Sequence, residues 1–104
     1  MTQQEIQERN KQIALMLGYK MTWFDTAFYT WKCRFLYDWN ILMEAVELIK
    51  KTSGIAMVDG PFRKPTCVIH LSNLRAVSGQ SNTLKEAVFI AVSDFAKLYN
   101  NKEL

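Results

Sequence analysis

Ile55-Ala56-Met57-Val58-Asp59-Gly60-Pro61-Phe62-Arg63-Lys64-Pro65-Thr66-Cys67-Val68-Ile69-His70-Leu71 decides the fold. Two short runs rich in β-branched and apolar residues flank a segment of Gly, Pro and charge, which is the signature of paired strands joined by a turn. Residues 59–65 read as a long hairpin loop. Within the second run, Cys67, Ile69 and Leu71 alternate with Thr66, Val68 and His70, so His70 belongs to the face opposite Cys67.

Outward from this hairpin, residues 72–82 are polar and contain Gly79, and they read as a loop. Thr83-Leu84-Lys85-Glu86 has the spacing of a capping box, and a strongly amphipathic helix follows it. Ala87, Ile90, Ala91, Asp94 and Leu98 form one ridge, which Val88, Val92, Phe95 and Tyr99 widen into a face suited to a sheet. On the other side of the hairpin, Asp38 precedes a helix that carries Ile41, Leu42, Ala45, Leu48 and Ile49 on one face. That helix should stop at Lys50-Lys51-Thr52-Ser53-Gly54, where cations suit the helix terminus and Gly permits a turn.

The first residues repeat the capping-box spacing in Thr2-Gln3-Gln4-Glu5. A peripheral helix is expected there, with Ile6, Ile13, Met16 and Leu17 inward, Glu5, Glu8, Arg9 and Lys11 in water, and Gly18 as a left-handed stop. Residues 19–37 are dense in aromatics, with Trp23, Phe24, Phe28, Tyr29, Trp31, Phe35 and Tyr37, and suggest two further strands turning near Asp25-Thr26-Ala27. The expected fold is a single α+β domain over residues 1–104, in the order α-β-β-α-β-β-α, with an antiparallel sheet packed against helices. Residues 1–4 and 100–104 should fray.

Size supports one domain, because 104 residues fill one core but not two. No apolar run approaches the roughly 20 residues of a membrane helix, and the N-terminal residues lack the layout of a secretion signal, so the chain should stay in the compartment where it is made. Cys33 and Cys67 stand far apart, without a partner Cys or His at ligand spacing. Neither a metal site nor a redox pair is signalled, and Cys67 reads as a small core residue.

No catalytic constellation is visible: His70 is the sole imidazole, and no phosphate-binding glycine loop or nucleophile elbow occurs. The chain reads as a non-enzyme that needs no cofactor or metal. The distribution of charge says more than the net value of +3. Between Asp59 and Glu86 there is no carboxylate, while Arg63, Lys64, Arg75 and Lys85 all fall in that interval. Ser81, Asn82 and Thr83 lead into a helix N-terminus, whose amides and dipole suit an anion; helix capping by Asn82 or Thr83 is the plainer use of the same residues. Trp23 and Trp31, the latter beside Lys32 and Arg34, can stack on bases or build the core. His70 is either a partly exposed strand residue or a ligand contact.

Tyr37-Asp38-Trp39-Asn40-Ile41-Leu42-Met43-Glu44-Ala45-Val46-Glu47-Leu48-Ile49, Thr83-Leu84-Lys85-Glu86-Ala87-Val88-Phe89-Ile90-Ala91-Val92-Ser93-Asp94-Phe95 and the closing Leu98-Tyr99-Asn100 resemble the phage ABA sandwich domain family of small phage and prophage proteins. Asn10-Lys11-Gln12-Ile13-Ala14-Leu15-Met16-Leu17-Gly18-Tyr19-Lys20 is similar to it as well. These are packing motifs, and the resemblance carries over no catalytic residues. What it implies is provenance: a mobile-element accessory protein in the cytoplasm of a bacterial host. The expected function is therefore non-catalytic binding and sequestration of an anionic nucleotide signal of host anti-phage defence. The binding residues would be Arg63, Lys64, His70, Arg75, Ser81, Asn82, Thr83 and Lys85, with Trp23 or Trp31 against the base. A protein–protein adaptor or inhibitor of a host factor, and a weak nucleic-acid binder, are the alternatives. Open sheet edges and abundant aromatics suit homo-oligomerisation under each of these.

Overall fold

A computed structural model describes residues 1–18, 35–36, 38–71 and 74–103. The described chain runs α1 (Gln3–Met16), α2 (Trp39–Lys50), β1 (Gly54–Gly60), β2 (Arg63–His70), β3 (Ala76–Gln80) and α3 (Leu84–Asn100). The α+β class holds. The two strands expected in residues 19–37, with Trp23, Trp31 and Cys33, lie outside the described residues.

Side-chain oxygens start each of the described helices. Thr2 accepts from the Glu5 amide, Asp38 from the amides of Asn40 and Ile41, and Thr83 from the Glu86 amide. Each bond satisfies an amide that the first turn would leave bare. Gly18 ends α1 at φ +84°, the left-handed geometry glycine adopts without strain. Gly54 does not serve α2 in this way, because it is the first residue of β1.

The sheet is antiparallel in the order β1-β2-β3. Its third strand corrects the reading of residues 72–82 as a loop. Only Val77 among the inward positions of β3 is a sizeable apolar residue, since Ala76, Ser78 and Gln80 face outward and Gly79 has no side chain. The hairpin is also tighter than its composition suggested. Pairing continues to Gly60 opposite Arg63, with an irregularity between Val58 and Gly60, so Pro61 and Phe62 alone form the connection. Pro65 is accommodated inside β2 because it stands at the last rung shared with β3, where its carbonyl accepts from Ser81 and its missing N–H removes only a terminal bond.

One face of the sheet carries Ile55, Met57, Cys67, Ile69, Val77 and Gly79 toward α3. Gly79 permits unusually close approach: a Cβ there would lie 2.3 Å from the Ala87 carbonyl oxygen and 2.8 Å from the Ala91 nitrogen. Helix α3 buries Ala87, Val88, Phe89, Ala91, Val92, Phe95 and Ala96, and α2 adds Leu42, Ala45, Val46 and Ile49 to the same core. Phe35, from the aromatic-rich segment, is fully buried there too.

Helix α1 packs on α3, and the pairing departs from the all-solvent role expected for Arg9. Its Nη1 donates to Ser93 Oγ at 2.7 Å, Asp94 Oδ1 at 2.8 Å and the Ile90 carbonyl at 3.3 Å. Further along, Asn100 Nδ2 donates to the carbonyl and Oε1 of Gln12, both at 2.9 Å, so Asn100 is anchored where the sequence suggested a fraying end. Residue numbers rise together along both helices, which makes α1 and α3 parallel.

Asn10 is buried on α1, and its Oδ1 has no hydrogen-bond partner among the described residues. An unsatisfied buried acceptor carries a desolvation penalty of about 1–3 kcal/mol. Asn10→Leu, with the same number of side-chain heavy atoms and no polar atom, should therefore raise stability by about 1 kcal/mol in a urea titration. A loss of stability would show that the amide is satisfied in solution.

Candidate functional site

The register places the described members of the sequence-derived binding set at two ends of the sheet. Thr66 pairs with Gln80 and His70 with Ala76, so β3 ends beside the start of β2. The Ser81 amide donates to the Pro65 carbonyl at 3.2 Å, which fixes Ser81, Asn82, Thr83 and Lys85 at the same end as Arg63 and Lys64. His70 and Arg75 occupy the opposite end. Seven steps along the strand separate Arg63 from His70, roughly 23 Å at the usual rise. The cations therefore form two groups within one chain rather than a single pocket.

At the first end, parallel α1 and α3 begin side by side, and their dipoles add in the same direction. A cleft of about 390 Å³ opens there, lined among the described residues by Met1, Ile6, Leu36, Thr83, Lys85 and Glu86. The Thr83 hydroxyl oxygen accepts from the Glu86 amide at 3.2 Å, so its capping role is realised while its own proton remains available to an acceptor outside. The Ser81 amide, by contrast, is committed to the sheet. Arg63 and Lys64 are exposed at the hairpin end, two residues and one residue before Pro65.

At the second end, Arg75 Nη2 donates to the Glu103 carbonyl at 3.0 Å, tying the start of β3 to the chain beyond α3. His70 is exposed on the outer face of the sheet, as the alternation indicated. Leu74 precedes Arg75 with φ +62° and its side chain fully in solvent.

Two features escaped the sequence reading. Phe62 is 96% exposed at the hairpin tip, beside Arg63 and Lys64. The loop composition contained it, but only the two-residue connection shows that it projects. Arg9 is the other; a cation on a sparse helix gives no sign of a partner 85 residues away.

No family model, curated protein or solved structure matches this chain. Among the described residues, no group of three or more His, Cys, Asp or Glu side chains is placed to hold a metal ion, and no helix is long and apolar enough to cross a membrane.

Cys67 is fully buried on the inner face of β2, and burial pushes its thiol up to about 11 from 9.0. The folded protein thus holds this proton more tightly than the unfolded chain. Its contribution to stability is complete below pH 9 and is lost as pH rises through 11. Urea titrations at pH 8 and pH 10.5 should show a fall that Cys67→Val reduces. In the native protein at pH 8, peptide-resolved labelling should leave Cys67 unmodified by iodoacetamide.

Proposed function

We propose that this protein is a non-catalytic accessory protein of phage or prophage origin, acting in a bacterial cytoplasm by binding an anionic nucleotide. The provenance rests on the resemblance of its helices to the phage ABA sandwich domain family. The observation that supports the binding mode is the cleft at the common start of α1 and α3, with Thr83 and Lys85 on its wall and Arg63 and Lys64 at the same end of the sheet. Two parallel helix dipoles and local cations favour negative charge there, and the apolar side chains of Met1, Ile6 and Leu36 suit a base or ribose.

Titration calorimetry with cyclic dinucleotides and ADP-ribose derivatives tests this directly. One member of the panel should bind with a stoichiometry set by the protein, and Arg63→Glu combined with Lys64→Glu should weaken it at least about tenfold, or 1.4 kcal/mol. No heat with any member would refute the reading.

A second reading has its own observation. Phe62 presents a whole aromatic side chain to solvent next to two cations, the residue types that dominate protein interfaces. Under it, a host protein is recovered from lysate by the parent chain and lost with Phe62→Ser.

A further inference from the structure

The two edges of the sheet formed by the described residues are not equivalent. The β1 edge carries its own protection in the irregularity at Val58 to Gly60, the Asp59 carboxylate and the adjoining Pro61. Strand β3 has none of these: Ala76-Val77-Ser78-Gly79-Gln80 contains no charge, no proline and no bulge. The Leu71 amide donates to the Arg75 carbonyl and the Ser81 amide to the Pro65 carbonyl, so the odd-numbered positions of β3 turn their backbone groups toward β2. Ala76, Ser78 and Gln80 consequently direct theirs away from the sheet, and no partner for them is present among the described residues.

We propose that this edge pairs with the same edge of a second copy of the chain, antiparallel about a two-fold axis at Ser78. Ser78 then faces the partner's Ser78, and Ala76 faces the partner's Gln80. Each of the three outward positions finds backbone partners, and the two sheets merge into one. Self-pairing suits this strand because no like charges meet across the axis.

The same register extends to the strand ends. Arg75 falls opposite the partner's Ser81. Arg75 thereby arrives at the end of the partner where α3 begins. The alternation puts Arg75 on the same side of the sheet as Val77, Gly79 and α3, which is the side of that helix terminus. Cations that one chain keeps at opposite ends are thus brought together across the subunit boundary. This last consequence rests on the nucleotide-binding reading; the pairing itself does not.

Sedimentation equilibrium of the full chain from 1 to about 200 μM reads the pairing. The expected result is a mass of twice the monomer, and Ser78→Pro should weaken dimerisation at least about tenfold, or 1.4 kcal/mol. Proline at an outward-facing edge position removes no bond to β2, so the variant keeps the monomer fold, which its far-UV circular dichroism checks. Ser78→Lys, which sets two ammonium groups against each other at the axis, should act alike. In the parent dimer the amides of Ser78 and Gln80 should exchange slowly, and in Ser78→Pro the Gln80 amide should exchange fast. A monomer throughout the range overturns the proposal, and slow exchange of these amides in a monomer would assign the edge to another segment of the same chain. A dimer unaffected by both variants overturns it too. Arg75→Ala separates the two claims: it should leave the dimer intact and weaken the nucleotide, whereas an intact dimer that binds no nucleotide refutes only the binding reading.

Discussion

Gly79→Ala should destabilise the protein by about 3 kcal/mol or more, or prevent folding altogether. The new methyl would stand 2.3 Å from the Ala87 carbonyl oxygen, 2.8 Å from the Ala91 nitrogen and 2.9 Å from Ile90 Cβ. Two of these are backbone atoms of α3 and cannot swing aside as a side-chain end can. Relief requires the helix to lift from β3, and that opens the layer holding Ile69, Cys67, Ala87 and Ala91. A drop in melting temperature of about 12 °C or more is the expected reading by differential scanning calorimetry. Gly60→Ala serves as control, because nothing among the described residues lies within 4 Å of its added Cβ; it should change stability by no more than about 0.5 kcal/mol. Equal effects of the two substitutions would show that α3 does not approach the sheet as described.

Phe89 and Phe62 form the second contrast. Phe89 is completely buried at the meeting of α3 with the rest of the core, while Phe62 is 96% exposed. Phe89→Ala removes a large side chain from close-packed surroundings and should cost about 3–5 kcal/mol. Phe62→Ala leaves no cavity and should stay within about 0.5 kcal/mol of the parent in guanidinium unfolding. If Phe62→Ala were as damaging as Phe89→Ala, the tip would be packed rather than free for a partner.

These contrasts mark where the sequence was informative. The three helices among the described residues were legible because each declares its start with a capping side chain, at Thr2, Asp38 and Thr83, and keeps one apolar face. Strands β1 and β2 were legible because their inward positions hold Ile55, Met57, Cys67 and Ile69. Strand β3 was not. Its packing depends on a missing side chain at Gly79, and period-two alternation cannot reveal a position whose role is to be empty. The hairpin was overestimated for a related reason: Pro61 and Pro65 both suggested loop, yet only Pro61 is in the turn.

The candidate site was legible in composition and not in arrangement. An interval without carboxylates identified Arg63, Lys64, Arg75 and Lys85, but spacing along the chain says nothing about which end of an antiparallel strand each occupies. The register separates them, with Arg75 and His70 at the end of the sheet away from Arg63 and Lys64. Long-range bonds such as Arg9 to Asp94, or Gln12 to Asn100, leave no local trace at all.

The proposed nucleotide site lies where α1 and α3 begin. Amide chemical-shift mapping tests it most directly, with a cyclic dinucleotide and an ADP-ribose derivative titrated separately into the isotope-labelled full chain at 150 mM salt. Saturable shifts from one of these, concentrated at residues 63–64 and 82–86, are the predicted result. Shifts gathered along the outer face of α2, or none from either compound, would rule out a nucleotide site at this end.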